Sequence, residues 1–288
     1  MRLLFATDGS RGADIALDFL GALPLSNADH VVVLTVPTYS FVGDSGVHTQ
    51  PAEQGVAHGE GAARAIAECA RSRLAGRGFH VAVEVGEGPV AAAIENAAIR
   101  DASELVVLGS RGLGALGGRI LGSVARQLAR HASLPLLVVR ERREAPRRIL
   151  LAVDGSDESG AAVALLARLP LPSAARVTLV RVSGTPSEAV SLTRVVDRAL
   201  LAFDWLALDR DVTPRSRAPE EILARANAGG ADLIVLGSDG HARGGVLRGT
   251  LADQILSQAH CAVLVAKAPL RSRPVTERQA ERQLAFAI

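Results

Sequence analysis

The chain is two copies of one unit, and that repetition constrains its fold more than any other feature. The stretch RLLFATDGSRGADIALDFLGALP, from Arg2, aligns with RILLAVDGSDESGAAVALLARLP, from Arg148. Both read as a strand, an Asp-Gly-Ser turn, a helix and a closing Leu-Pro. Further along, ASELVVLGSRG from Ala102 pairs with GADLIVLGSDG from Gly230, and LGSVARQLARHASLPLLVV pairs with RGTLADQILSQAHCAVLVA. Whatever the first copy folds into, the second must fold into as well, and each copy has the length of an ordinary domain. The expected division is 1–141 for the first domain, 147–268 for the second and 269–288 for a tail. The joint falls in RERREAPR, Arg140 to Arg147, a charged stretch with a proline. The Asp-Gly turns stand farther apart than the Gly-rich loops, so the second copy is shorter in its middle.

Within the first copy, LLFAT, HVVVLTV, HVAVEV, ELVVLG and LPLLVV are short apolar runs separated by Ala-rich helical patterns. The second copy gives ILLAV, RVTLVRV, LALDRDV, DLIVLG and AVLVAK, of which LALDRDV has the weakest pattern. Runs of this length, rich in β-branched residues, suit strands buried on both faces. Composition agrees: 48% of residues are hydrophobic but only 3% aromatic, so the core is Val, Leu, Ile and Ala. Right-handed crossovers then give an α/β fold of two tandem, doubly wound, parallel five-stranded sheets of order 3-2-1-4-5, a Rossmann-like arrangement.

Several function classes are disfavoured. Formal net charge is +2, the cations are spread along the chain, and all but Lys267 are arginine. No basic stripe with interleaved aromatics marks a nucleic-acid surface. Cys69 and Cys261 read as reduced thiols rather than a disulfide. No signal peptide and no run near the ~20 apolar residues of a membrane span is visible, so a cytoplasmic protein without membrane contact is expected. His30, His80, His131 and His260 show no ligand spacing, so no metal site is expected.

Ligands of such sheets bind outside the carboxyl ends of the strands where the order reverses. In the first copy this brings Asp8 and the loop opening at Gly109 to one crevice; Asp154 and Gly237 do the same in the second. Gly109 and Gly112 let the backbone approach an anion, and Ser123 reads as the N-cap of the following helix. The free N–H groups of that helix suit phosphate, with Arg111, Arg119 and Arg126 as nearby cations. The literal dinucleotide pattern GLGALG, Gly112 to Gly117, with Glu141 after the next strand, follows the fourth strand rather than the first, and GHARGG in the second copy lacks it. A P-loop is excluded because no Gly-Lys-Ser/Thr closes the loop.

These residues resemble the universal stress proteins in their tandem form, a group within the adenine-nucleotide α-hydrolase-like folds. The family's ATP-site spacing of Gly, two residues, Gly, nine residues and Gly-Ser/Thr stands here as Gly109, Gly112 and Gly122-Ser123. The resemblance implies ATP, with Ala6, Thr7 and Asp8 at adenine and ribose, the Val36 backbone at adenine, and Gly109, Gly112, Gly122, Ser123 and Val124 at ribose and phosphates. Protein ligands for an accompanying Mg²⁺ are not identifiable. The second copy implies a weaker site of Asp154, Gly237, Gly240, Gly249 and Thr250: its loop is one residue short, and Asp239 and Asp253 replace Arg111 and Arg126. No carboxylate pair is placed for hydrolysis, so a regulatory ATP-binding protein is expected rather than an enzyme, although slow incidental ATPase activity is compatible with the motif. The alternative is a relative that binds no nucleotide and acts through protein contacts.

LPLLVV and CAVLVA end their sheets and need cover. By the same resemblance the last strands pair, giving an intramolecular pseudo-dimer, and two such chains can form a homodimer. The stretch from Pro37 to Gly61 reads as a polar loop beside the crevice, with closure over nucleotide as the sharper reading. The tail from Pro269 reads as a docked or frayed end.

Overall fold

The computed structural model describes residues 1–37, 53–112, 121–141, 144–183, 189–203, 206–238 and 251–267. In chain order these form β1 (Arg2–Ala6), α1 (Arg11–Ala22), β2 (His30–Thr35), α2 (Glu53–Leu74), β3 (His80–Val85), α3 (Val90–Arg100), β4 (Leu105–Gly109), α4 (Ser123–His131) and β5 (Leu136–Val139). The second half repeats the series as β6 (Arg148–Val153), α5 (Asp157–Arg168), β7 (Arg176–Ser183), α6 (Ala189–Ala202), β8 (Leu206–Pro214), α7 (Ala218–Ala228), β9 (Leu233–Gly237), α8 (Leu251–Gln258) and β10 (Ala262–Ala266).

Local chemistry fixes the repeated first helix. Ser10 and Ser156 cap α1 and α5, their hydroxyls accepting from Ala13 N (3.3 Å) and Ser159 N (3.0 Å). Each helix ends at the leucine before a proline, Leu23 or Leu169, which takes an extended conformation at its cap as a pre-proline residue prefers.

The ten strands form one sheet of order β3-β2-β1-β4-β5-β10-β9-β6-β7-β8, two halves of order 3-2-1-4-5 placed edge to edge. Pairing is parallel within each half. Only the seam is antiparallel, with Leu136 opposite Val265, Leu137 opposite Leu264 and Val138 opposite Val263. The expected cover for both exposed edges is therefore the other half, and the weakly patterned LALDRDV segment lies in edge strand β8, with a register shift between Leu179 and Arg181. Helices α1, α2, α5 and α6 cover one face and α3, α4, α7 and α8 the other, over two apolar layers that each run through both halves.

The seam is fastened reciprocally. Arg140 follows β5 and donates to the Leu256 carbonyl in the last turn of α8. Lys267 follows β10 and donates to the Ala129 carbonyl in the last turn of α4 at 3.0 Å. Each cation thus meets the negative end of the other half's helix. The joining segment is pinned by buried Asp232, whose carboxylate accepts from the backbone N–H groups of Arg147 and Arg148, both at 2.9 Å.

One expected loop is partly helix. Residues 53–61 of the stretch beginning at Pro37 form the start of α2. That helix holds its place by burying Ala63, Ala67, Ala70 and Leu74. The earlier part of that stretch and the C-terminal tail lie outside the described residues.

Candidate functional site

At the reversal of strand order in the first half, β1 and β4 are neighbours, with Ala6 opposite Leu108. Ala6 ends β1, and Thr7 still donates its N–H to the Leu34 carbonyl of β2 at 2.9 Å. Asp8 follows, half-buried, with Oδ1 accepting from Ser10 N at 3.0 Å. Gly9 between them has φ +73°, a left-handed conformation that favours glycine. This turn aims the Asp8 carboxylate across the crevice at the β4 loop.

Gly112 receives it. A Cβ on Gly112 would collide with Asp8 Oδ2, so only a bare Cα allows the carboxylate to lie there. The same loop is closed at its base, where Gly122 N donates to the Ser110 carbonyl at 2.8 Å. A Cβ on Gly122 would meet Ser110 O at 3.2 Å and Gly112 N at 3.8 Å. Asp8, Gly112 and Gly122, scattered through the sequence, therefore converge. Val36 follows β2, buried, with its side chain beneath the Cα of Gly86.

One expectation is corrected. Gly122, not Ser123, is the N-cap of α4, with φ −60° and ψ 155° and no side-chain capping bond. Ser123 and Val124 are the first helical residues, so no capping side chain stands over the N–H groups of this turn, unlike those of α1 and α5. The bare Cα of Gly109 is also needed for packing: a Cβ there would run into the Gly12 backbone and lie 2.8 Å from Ala13 N. Its bare Cα lets the first turn of α1 lie against β4. Gly237 serves α5 in the same way, with Ser159 N 2.8 Å from its would-be Cβ.

The cations are placed unevenly. Arg111 sits in the loop, its carbonyl accepting from the Ser10 hydroxyl at 3.3 Å. Arg126 lies in the first turns of α4 and donates to the Leu121 carbonyl at 3.3 Å. Arg119 lies outside the described residues.

The second crevice differs. Asp154 Oδ1 accepts from both the N–H (3.0 Å) and the hydroxyl (2.6 Å) of Ser156, and Oδ2 pairs with Arg215 at 3.1 Å. Burial pushes this carboxyl up, but the Ser156 bonds and the Arg215 charge outweigh it and hold the group below the usual carboxylate range. Asp239, Gly240, Gly249 and Thr250 lie outside the described residues. Asp253 pairs with Arg130 of α4 at 2.9 Å, across the seam, so its charge is matched by the first half. Sequence reading missed Arg215, and it missed Gly12, whose Cα lies against the Arg111 carbonyl. Both act through three-dimensional neighbours that no spacing announces.

Among the described residues no group of three or more His, Cys, Asp or Glu side chains is gathered as a metal site would require, and no helix is long and apolar enough to cross a membrane. His30 and His80 do meet, stacked at 5.0 Å between ring centroids on neighbouring strands.

A model of the Universal stress protein family matches residues 1–140 and 146–267. The chain belongs to the universal stress protein family. Its two tandem domains of this family form the single sheet described above. A universal stress protein of Mycobacterium bovis is 31% identical over 193 residues, 59% of this chain and 63% of that protein, so the match spans less than two thirds of the relative. Another from Mycobacterium tuberculosis is 29% identical over 224 residues, covering 67% of this chain and 68% of that one. Among solved structures, a universal stress protein from Archaeoglobus fulgidus superposes with a TM-score of 0.71 at 17% identity, covering 93% of this chain and 98% of its own. That likeness is one of fold.

Proposed function

We propose that this universal stress protein is an ATP-binding regulatory protein of the stress response whose nucleotide sits in the first domain, between the ends of β1 and β4. The observation that carries the reading is the convergence of Asp8, Gly112 and Gly122 beside a helix N-terminus without a side-chain cap. In this reading Ala6, Thr7, Asp8 and the Val36 backbone face adenine and ribose. Gly112, Gly122 and the N–H groups of Ser123 and Val124 face the phosphates, with Arg111 and Arg126 as the nearest cations. Gly109 also seats α1. The second domain binds nucleotide more weakly or not at all. The protein binds and signals occupancy, as a cytoplasmic regulator, rather than turning over a substrate; the divisions 1–141 and 147–268 are taken as its two domains.

Native mass spectrometry of freshly purified protein tests this. The expected result is ATP at close to one per chain. Calorimetry on Asp8→Ala and Asp154→Ala then locates it: Asp8→Ala is expected to weaken binding at least tenfold and Asp154→Ala to change it little. No detectable ATP affinity in the intact chain would leave the protein-contact alternative standing.

A further inference from the structure

The two Asp-Gly-Ser turns are matched in sequence, yet the corners that follow β3 and β8 are not. In the first domain the chain leaves β3 through Gly86, Glu87, Gly88 and Pro89, with an exposed carboxylate, Glu87, at the position of Arg215. In the second domain the corresponding corner is Pro214, Arg215, Ser216 and Arg217, and Arg215 reaches Asp154 Oδ2 at 3.1 Å. With Oδ1 already bonded twice to Ser156, both oxygens of Asp154 are engaged from within the chain.

A second difference lies on the other side of the turn. The three atoms nearest a Cβ on Gly9 would all belong to the side chain of Ile66, at 3.4 Å. A Cβ on Gly155 would lie 2.5 Å from Leu192 N and 2.9 Å from Leu192 Cα, so the backbone of α6 is seated directly on the turn. The hollow left between Asp154, Ser156, Arg215, Gly237 and Ser238 has a volume of about 20 Å³. That is room for about one water.

We infer that Arg215 is an internal occupant of the second crevice, an autoinhibitory latch that holds Asp154 in place of a ligand and makes the tandem chain a single-site nucleotide binder. The inference rests on the proposed nucleotide site of the first domain as its reference. Arg215 is 37% exposed, at the end of an edge strand, so solvent screens its pair with Asp154.

The test counts ATP on the full chain by native mass spectrometry, for the wild type and Arg215→Ser, with melting temperatures as a folding check. The expected result is a second ATP on R215S, bound at least tenfold more tightly than any second ATP on the wild type, and retained when Asp8→Ala is added. Should R215S melt early, Arg215→Gln, which keeps the stem and loses the charge, is read in its place. A count that is the same in variant and wild type at millimolar ATP overturns the latch. One ATP on both chains keeps the first-domain reading and removes this one; none on the wild type removes the first-domain reading and, with it, the single-site binder inferred here.

Discussion

Lys267→Met isolates the strength of the seam between the two domains. Lys267 is the only lysine of the chain, and its Nζ donates to the Ala129 carbonyl at 3.0 Å. That carbonyl is one of the last four of α4, which have no partner inside the helix. A hydrogen bond from a charged donor contributes about 1.5–3 kcal/mol, and the cation at a helix C-terminus lies within that figure. Because Lys267 is only half-buried, solvent replaces part of the lost bond, and the lower end, about 1.5 kcal/mol, is expected. At about 2–4 °C per kcal/mol for a chain of this size, the midpoint should fall by about 3–6 °C. Arg140→Met is the less informative partner. Arg140 is 6% exposed, and methionine there removes the desolvation cost of a buried guanidinium together with its bond to Leu256, so the two changes offset. Thermal unfolding followed by circular dichroism measures the shift, with Lys267→Arg as the control that keeps a charged donor. If Met and Arg at position 267 melt together with the wild type, the Lys267 bond contributes nothing and the seam is held by its other contacts: the β5–β10 pairing, the apolar layers, Arg140 on Leu256 and Arg130 on Asp253.

Gly112→Ala should abolish tight ATP binding, a loss of tenfold or more by calorimetry, while leaving the melting temperature within about 2 °C, because the new methyl displaces the Asp8 carboxylate at an exposed loop rather than in the core. Asp154 has a depressed folded-state pKa, so its contribution to stability is complete above the unfolded value of 3.8 and is lost as pH falls through the lower folded value. Arg215→Ser removes one of the stabilising partners while burial remains, so acid unfolding of R215S should begin at a higher pH than that of the wild type in a fluorescence titration. Burial pushes the Cys261 thiol up to about 11, whereas Cys69 is exposed on α2. A thiol-specific chromophore should therefore titrate one cysteine in the folded protein and two in denaturant; two fast-reacting thiols at neutral pH would contradict the buried placement.

The strands were legible because each is a short β-branched run bounded by turn residues, and the repeat allowed one copy to check the other. Even LALDRDV, with its weak pattern, was recovered because the first copy has a strand, HVAVEV, third in its series. The pairing of Asp8 with the β4 loop followed from topology, since the strand order alone brings their ends together. The start of α2 was hidden by the glycines at 55, 59 and 61, which lower helix propensity; packing of Ala63, Ala67, Ala70 and Leu74 on the sheet overrides them. The packing role of Gly109 was hidden for a related reason. Its role depends on how closely α1 approaches β4, a distance that no pattern of residues encodes. Arg215 carried no signal at all, being one arginine among many in a chain whose cations are almost all arginine.

Asp253 shows why matching two repeats residue by residue has a definite limit. Aligned with Arg126, it reads as a negative charge that opposes phosphate in the second crevice. In the structure it pairs instead with Arg130, three-dimensionally opposite it on α4, and it sits in the first turn of α8, where an acid is favoured by the helix dipole. The partner of Asp253 belongs to the other repeat. A residue at the seam answers to the copy it faces, so its divergence from its counterpart records how the two domains join rather than what either domain binds. The same reasoning separates Arg215, whose partner Asp154 belongs to its own domain, from Asp253. Only the first of these two differences bears on the second crevice, and it does so by occupying the aspartate of the Asp-Gly-Ser turn that both copies keep.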